Sequence, residues 1–530
     1  MTKFSLGELQ TGKNPLIVES HGVKNLTLKC LKILENVIMK ITVNDPNVRI
    51  YSLSNMAQLS NRLRQQLGAP VIWLFLTSSV IYAIPSWVRY ATWRGNVWDM
   101  GFFIHALWLI SHGHWLAHSP FEGGMPALGD AASFVLYPLA FWYRLTGAYG
   151  ILWLQAVCLL SGVVFILRWR KRFKLNQAYD ILLPVLYLIF PTVWGSLLFD
   201  FHPDVLAIPL LCSLIESIWD RRWNRYWILF VANLLVKDTM PITLFGVGLL
   251  LLIGGHKFRG AISMLGSVTW LMIASLWLIP LLSPTGHIAQ WATTYGWISQ
   301  KPENLLLNLT KHPTLLAVPW HRPMVWFYCV GIITSIGVIP LRFKASLIWL
   351  IPATTMVSFN IYSQVIHQQW LVNQYSLFIV PFLFASLITA LCQLNSTGLR
   401  VALIAIPVPA FIMSGVTWVL FGHMLWPTRP AMQLTEASQL VSARAPVYGQ
   451  DPTLYKLANR LHVKALTRFP PRAPLGSYAL INTNQNPHHI GGMAQPSFLH
   501  MMAEFETSPK WLEVYHQGPI YLFHKTSTKT

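Results

Sequence analysis

The sequence predicts an all-α polytopic membrane protein with about eleven transmembrane helices and a small extracytoplasmic α/β domain at its C-terminal end. Three observations predict it. Charged residues are 11% of the 530-residue chain while hydrophobic residues are 54%, too few charges for a water-facing surface. The 24 tryptophans suit membrane–water interfaces, where an amphipathic indole ring is favoured. The apolar residues gather into long runs that stop near residue 430, where Pro, Asn, His and charged residues return.

Residues 1–67 contain no spanning segment and no apolar core of a signal peptide. They read as a polar cytoplasmic segment with one short amphipathic stretch, Leu26 to Leu34. Met56 is an alternative start, so residues 1–55 are expected to be dispensable. The membrane part is expected over 68–428. Candidate spans run over 69–88, 149–168, 178–198, 203–219, 225–237, 239–255, 260–282, 325–341, 345–363, 374–394 and 399–426. The fifth and sixth are short and nearly continuous, as in a hairpin or a broken helix. The first outer loop, 89–148, holds two apolar stretches too short to span, around Phe102–Ile110 and Ser133–Leu139, which suit helices lying at the interface. Residues 429–530 read as the outer α/β domain, with strands at 477–482 and 518–524 and a helix at 498–505.

Orientation follows from the Lys/Arg bias of short loops. The run Arg168 to Lys174, the run Arg221 to Arg225, the pairs Lys257/Arg259 and Arg342/Lys344, and Arg400 fall in alternate loops. That alternation predicts a cytoplasmic N-terminus and an extracytoplasmic C-terminus in a cell membrane. It also explains the net charge of +20 without nucleic acid. The five cysteines show no paired or zinc-binding spacing and read as packing residues.

The same topology gathers the polar chemistry on the outer face: Asp99, Asp130, Asp200, His202, Asp204, Lys237, Asp238, His287, His321 and His367. Asp99, just after the first span, is placed to act as a general base or metal ligand; alone it could equally be a solvated helix cap. In the turn Phe199-Asp200-Phe201-His202-Pro203-Asp204, Pro203 suits the first position of a helix. Two carboxylates and an imidazole then crowd a helix start that would also attract phosphate; the plain alternative is a capped, tight hairpin. Lys237-Asp238 is a charged pair at membrane depth, where charges are expensive and often functional. Its partner is Asp200, Asp204 or a substrate phosphate, and its plain reading is a structural ion pair. The stretch Ser363 to Trp370, with His367, suits a sugar, or an interface belt. Asp451, in the outer domain, is expected to be a remote carboxylate. No phosphate-binding glycine loop, nucleophile elbow, zinc-helix motif or dinucleotide fingerprint is present, so no nucleotide cofactor is expected.

Three stretches resemble the predicted membrane-protein family known as domain of unknown function 2079. They are Asp99-Met100-Gly101-Phe102-Phe103 with Ala106-Leu107-Trp108, then Phe199 to Asp204 with Pro209-Leu210-Leu211, then Val236-Lys237-Asp238. The chain departs from the family at Ile104-His105, where an Asp-Gln pair is usual, and near Leu128-Gly129-Asp130-Ala131, where a His-Phe-Ser-Pro run is usual. His105 and Asp130 are therefore candidates to replace those groups, and the departures leave room for an altered or inactive site. The family looks like the GT-C class of membrane glycosyltransferases. The resemblance implies a polyprenyl-phosphate-linked sugar donor and an acidic residue of the first outer loop, matched by Asp99, at the catalytic centre.

The reading that follows is a GT-C-like glycosyltransferase working at the outer face. Asp99, Asp200 and His202 are the candidate catalytic residues. Asp204, Lys237, Asp238, Asp130, His105, His367, Arg94 and Arg322 are the candidate substrate-binding residues, with Lys237, Arg94 and Arg322 on the donor phosphate. If a divalent metal ion takes part, Asp99 and Asp200 are the residues to hold it. The alternatives are a non-catalytic scaffold or inactive homologue, and a transporter or lipid flippase, which would place its polar groups nearer the midplane.

Overall fold

The computed structural model describes residues 68–119, 124–284, 291–394, 422–451, 453–466, 468–484 and 495–527, and isolated residues 286, 288, 398, 412, 415 and 419. The expected N-terminal segment, the eleventh span at 399–426 and His287 lie outside them, apart from the last residues of that span. Met1–Leu74 is set apart as one unit, of which only the first turns of a helix are described; Phe75–Thr530 forms one compact unit.

The body is helical. Its main helices are α1 (Gly68–Ala91), α2 (Phe102–Ser111), α3 (Leu136–Arg172), α4 (Tyr179–Leu188), α5 (Pro191–Leu198), α6 (Ala207–Trp219), α7 (Trp223–Leu234), α8 (Met240–Ile253), α9 (Lys257–Met272), α10 (Pro323–Ile336), α11 (Lys344–Tyr362) and α12 (Val380–Leu391). A helix stands at each expected span up to residue 394. Helix length alone does not match the expected count of about eleven complete spans. Among the described residues five helices are long and apolar enough to cross a bilayer, or six if α4 and α5 count as one bent span. The segments α6 and α7 have 13 and 12 residues, short of the roughly 20 that a bilayer core needs.

The breaks have local causes. Pro191 opens α5 behind an extended Phe190; lacking an N–H, it starts a helix more readily than it continues one. The two helices meet at 51°. Inside α3, Gly147 has φ 65°, a conformation that glycine reaches without steric penalty. The stretch Ser133–Leu139, expected as a separate interfacial helix, therefore leads into the long helix, which bends at Gly147. Pro203 opens a 3-10 turn, Pro203–Leu206, that leads into α6, as its position in sequence suggested.

Burial sorts the helices. Every residue of α12 is buried, so it is the central post. The stretch Lys257–Leu282 is apolar but only 17% buried in its most apolar window, which leaves Leu265, Met272 and Trp277 facing outward, as a lipid-facing helix should.

Beyond the helices lies a five-stranded sheet of order β2-β1-β3-β5-β4. Strands β1 (Val447–Gly449), β2 (Val463–Ala465) and β3 (Tyr478–Asn482) are parallel neighbours, while β4 (Trp511–Gln517) and β5 (Ile520–Lys525) add an antiparallel hairpin. Gly518, at φ 54°, supplies the hairpin turn. One set of sheet residues, Ala479, Ile481 and Phe523, packs with Phe498, Met501 and Phe505 of the helix Gln495–Thr507. The alternate set, Leu480, Ile520 and Leu522, joins the core of the helical body. That alternation is the period-2 logic of a strand buried on both faces.

A polar-ended cavity as the candidate functional site

The candidate site is assembled from four separated turns. Behind α1 the chain extends to Asn96, which caps the turn Val97–Gly101 running into α2. Asn96 Oδ1 accepts from the Asp99 amide at 2.7 Å, and Asn96 Nδ2 donates to Asp99 Oδ2 at 2.7 Å. The Asn-x-x-Asp spacing works as a reciprocal helix cap. It turns the other oxygen, Asp99 Oδ1, to His202 Nε2 at 2.9 Å.

His202 is held on every side. Its Nδ1 faces the Asp200 carbonyl oxygen at 3.0 Å. Phe199 stacks on the ring at 5.7 Å and Phe103 meets it edge-on at 5.4 Å. Both ring nitrogens face oxygen acceptors, so the arrangement favours the doubly protonated imidazolium. Gln374 Nε2 lies 3.1 Å from His202 Nε2, and Gln374 Oε1 is buried without a hydrogen bond. Turning that amide by 180° brings the acceptor to the imidazolium. Burial works against charge on both members of the Asp99–His202 pair. Their mutual attraction wins, lowering the Asp99 pKa and raising that of His202.

Asp200 serves differently. Its carboxylate is buried against the Arg89 guanidinium from α1 and accepts the Asn96 amide at 2.9 Å. Burial raises its pKa despite Arg89. It does not line the cavity; it ties α1, the Asp99 turn and the His202 turn together. The next carboxylate, Asp204, binds Lys237 Nζ at 3.1 Å, and that ammonium lies 5.5 Å from the Tyr375 ring centroid.

These groups face a cavity of about 950 Å³, at the upper end for small-molecule sites. Asp99, Asp130, His202, Asp204, Lys237 and Asp238 form its polar end. The rest of the wall is mainly apolar, with Val268, Leu271, Met272 and Leu276 on one side and Leu305, Leu306, Met356 and Phe359 among the others. Asp130 is pushed up to about 6, first by burial and then by Asp238. Burial also raises Asp238 against the pull of Lys237.

Besides Asp200, four candidate substrate-binding residues are not on the cavity wall. His105 is turned into the core, its Nδ1 at 2.9 Å from the Ala458 carbonyl, and burial lowers its pKa to about 4. Arg322 Nη1 donates to the Ser363 carbonyl at 2.8 Å and its guanidinium covers Trp297. His367 is exposed and rests edge-on against Trp370. Arg94 is half-buried in the loop after α1. Four participants were missed. Arg89 and Gln374 stand at the ends of apolar runs, where no local pattern marks them. Asn96 carried a legible signal, its cap spacing to Asp99. Asp451 carried none: it is not remote, and its Oδ1 accepts the Val97 amide at 2.7 Å.

Asp99 and Asp200 are the residues expected to hold any divalent metal ion. Their oxygens accept from His202, Asn96 and Arg89. Among the described residues no three His, Cys, Asp or Glu side chains cluster as a metal site.

The helical membrane body and its sheet-bearing tail share their fold with solved structures of ArnT. The structure of ArnT from Cupriavidus metallidurans bound to undecaprenyl phosphate is similar with a TM-score of 0.51 and 14% identity, covering 86% of this chain and 98% of that one. Its apo form gives 0.50 and 13% with the same coverage. At such identities the likeness is one of fold. The chain itself belongs to the family described as "Predicted membrane protein (DUF2079)", which matches residues 89–448. No curated protein matches it in sequence.

Proposed function

We propose that this protein is an integral membrane glycosyltransferase that moves a sugar from a polyprenyl-phosphate donor at the extracytoplasmic face. The observation that carries this reading is the cavity in which Asp99–His202 and Lys237–Asp204 meet a mainly apolar wall. The apolar wall takes the prenyl chain, and Lys237 meets the phosphate. The undecaprenyl phosphate bound by the similar ArnT supports that choice of lipid. The basic bias of alternate loops supports an N-in, C-out arrangement, with 1–67 cytoplasmic and dispensable, 68–428 in the membrane and 429–530 outside.

Transfer forms a bond between the acceptor oxygen and the sugar's anomeric carbon and breaks the bond from that carbon to the phosphate oxygen. Charge builds on the departing phosphate, where Lys237 stabilises it. Asp99, held as a carboxylate, is a weak base at rest. It accepts the hydroxyl proton late, when bond formation has made that proton acidic. His202 keeps Asp99 ionised and aimed; Asp204 keeps Lys237 charged.

The test is comparative analysis of glycans and lipid-linked sugars in a strain lacking the protein. Accumulation of a polyprenyl-phosphate sugar together with loss of one glycan modification supports transfer. An unchanged profile in both pools moves the balance to a scaffold.

A further inference from the structure

The C-terminal segment does more than follow the membrane body. Asp451 Oδ1 accepts from the Val97 amide at 2.7 Å, at the first position of the turn that carries Asp99. Four residues on, Tyr455 donates its hydroxyl to the Tyr90 carbonyl at 2.7 Å, and Lys456 Nζ donates to the Ala91 carbonyl at 2.8 Å. Both carbonyls belong to the last turn of α1. The Tyr455 ring lies so close to Gly95 that a Cβ there would come within 3.1 Å of it; at Gly101 the nearest Tyr455 atoms would be 3.3 Å away. The Ala458 carbonyl meets His105 one turn further along α2. The stretch 451–458 therefore grips the Asp99 turn before, across and after that residue.

Three amides open this turn, and each has a different acceptor. The Asn96 amide goes to Asp200, the Val97 amide to Asp451 and the Asp99 amide to Asn96. We propose that Asp451 is a positioning residue that fixes the Asp99–His202 geometry from the C-terminal segment, so that the site is complete only when that segment is docked. Its importance for transfer rests on the proposed function; its grip on the turn does not.

Burial raises the Asp451 pKa to about 7, with further upward pushes from Asp200 and Asp99 opposed by the Val97 amide and Arg89. Lys456 and Tyr455 face the same turn from Asp451's own segment. The sign follows from linkage. A carboxyl that is near 7 when docked and near 3.8 when free is protonated more readily in the docked state. Docking is then favoured at low pH and weakens as pH rises through about 7. Between pH 6 and 8 the opening equilibrium of the turn should rise about tenfold.

The experiment is hydrogen exchange of the full-length protein in lipid nanodiscs, corrected for intrinsic rates, at pH 6 and 8. The peptide over 95–101 reports the turn and the peptide over 478–482 reports the sheet. At pH 6, Asp451→Ala should raise exchange at 95–101 by about tenfold or more, as loss of a buried hydrogen-bond acceptor does, while 478–482 keeps its protection. Asp451→Asn keeps an acceptor without a titrating charge, so its exchange should respond less to pH between 6 and 8 than that of the wild type. Unchanged exchange at 95–101 in Asp451→Ala overturns the proposal. Equal loss at 478–482 also overturns it, because Asp451 would then hold the sheet rather than the turn. If Asp451→Ala fails to insert, Asp451→Asn decides: a pH response equal to that of the wild type rejects the role. Undecaprenyl phosphate binding is measured in the same nanodiscs. Its absence with the exchange pattern intact removes the transfer reading and leaves the positioning role standing.

Discussion

Two groups of ion pairs occupy different settings. At the cavity, Arg89–Asp200, His202–Asp99 and Lys237–Asp204 each have at least one partner buried to 7% exposure or less. Around the C-terminal end of α3, Arg172 pairs with Asp220 and Arg170 with Asp180, and in each pair at least one side chain is more than a quarter exposed. Both sets are built on Asp, so the acidic partner does not separate them; the pairs at the cavity are on the whole the more deeply buried. An exposed pair is screened by water and contributes about 0–1 kcal/mol. A buried one is a commitment, because losing one partner strands the other in low dielectric. The cavity end is therefore where charge has been placed for a use beyond solubility.

The largest expected effect breaks that contrast directly. Asp99→Asn keeps shape and removes charge, and transfer per inserted protein should fall by about 10²–10⁴-fold. The comparison variant is Asp220→Asn, at the C-terminal end of α6; Asp451→Asn is unsuitable because it touches the Asp99 turn. Equal transfer in Asp99→Asn and Asp220→Asn would falsify a catalytic role for Asp99.

Next in size is Lys237→Met. It strands Asp204, whose side chain is 2% exposed, and should cost about 3–5 kcal/mol in stability. Denaturation in detergent or bicelles measures this, and Lys237→Arg should recover most of it. A Lys237→Met protein as stable as wild type shows that Asp204 has another partner or is protonated.

The Asp99–His202 pair predicts a smaller, pH-shaped effect. The His202 pKa is raised above 6.5, so its contribution is complete below 6.5 and is lost as pH rises through the folded value. The Asp99 pKa is lowered below 3.8, so its contribution is present above 3.8 and is lost as pH falls through the folded value. Thermal midpoints should thus be lower at alkaline pH than near pH 6, and His202→Gln should reduce that slope, leaving the part that Asp451 contributes. The same slope in the variant would assign it elsewhere. Smallest of all, Arg172→Ala should change stability by about 0–1 kcal/mol, with the difference vanishing at high salt. A loss comparable to Lys237→Met would erase the distinction between the two sets.

The sequence by itself determined what periodicity and composition can carry. Apolar runs fixed where helices form, because a helix in lipid must satisfy its own backbone and present apolar side chains. The residues Asp99, His202, Asp204, Lys237 and Asp238 stood out because ionisable groups at membrane depth are rare, and all five line the cavity. The strands β3 and β5 were legible as apolar runs, while β1, β2 and β4 were not, being short or largely exposed. Only the tertiary structure decided which polar residue meets which. Asp99 and His202 are 103 residues apart, and Val97 and Asp451 are 354 apart. His105 and Asp451 show the limit most clearly. In sequence the first looks like a site residue and the second like a remote one, yet the fold buries His105 against Ala458 and brings Asp451 to the Asp99 turn. Local pattern encodes the direction of a side chain along its own helix; its partner is set by packing between segments, which no local pattern contains.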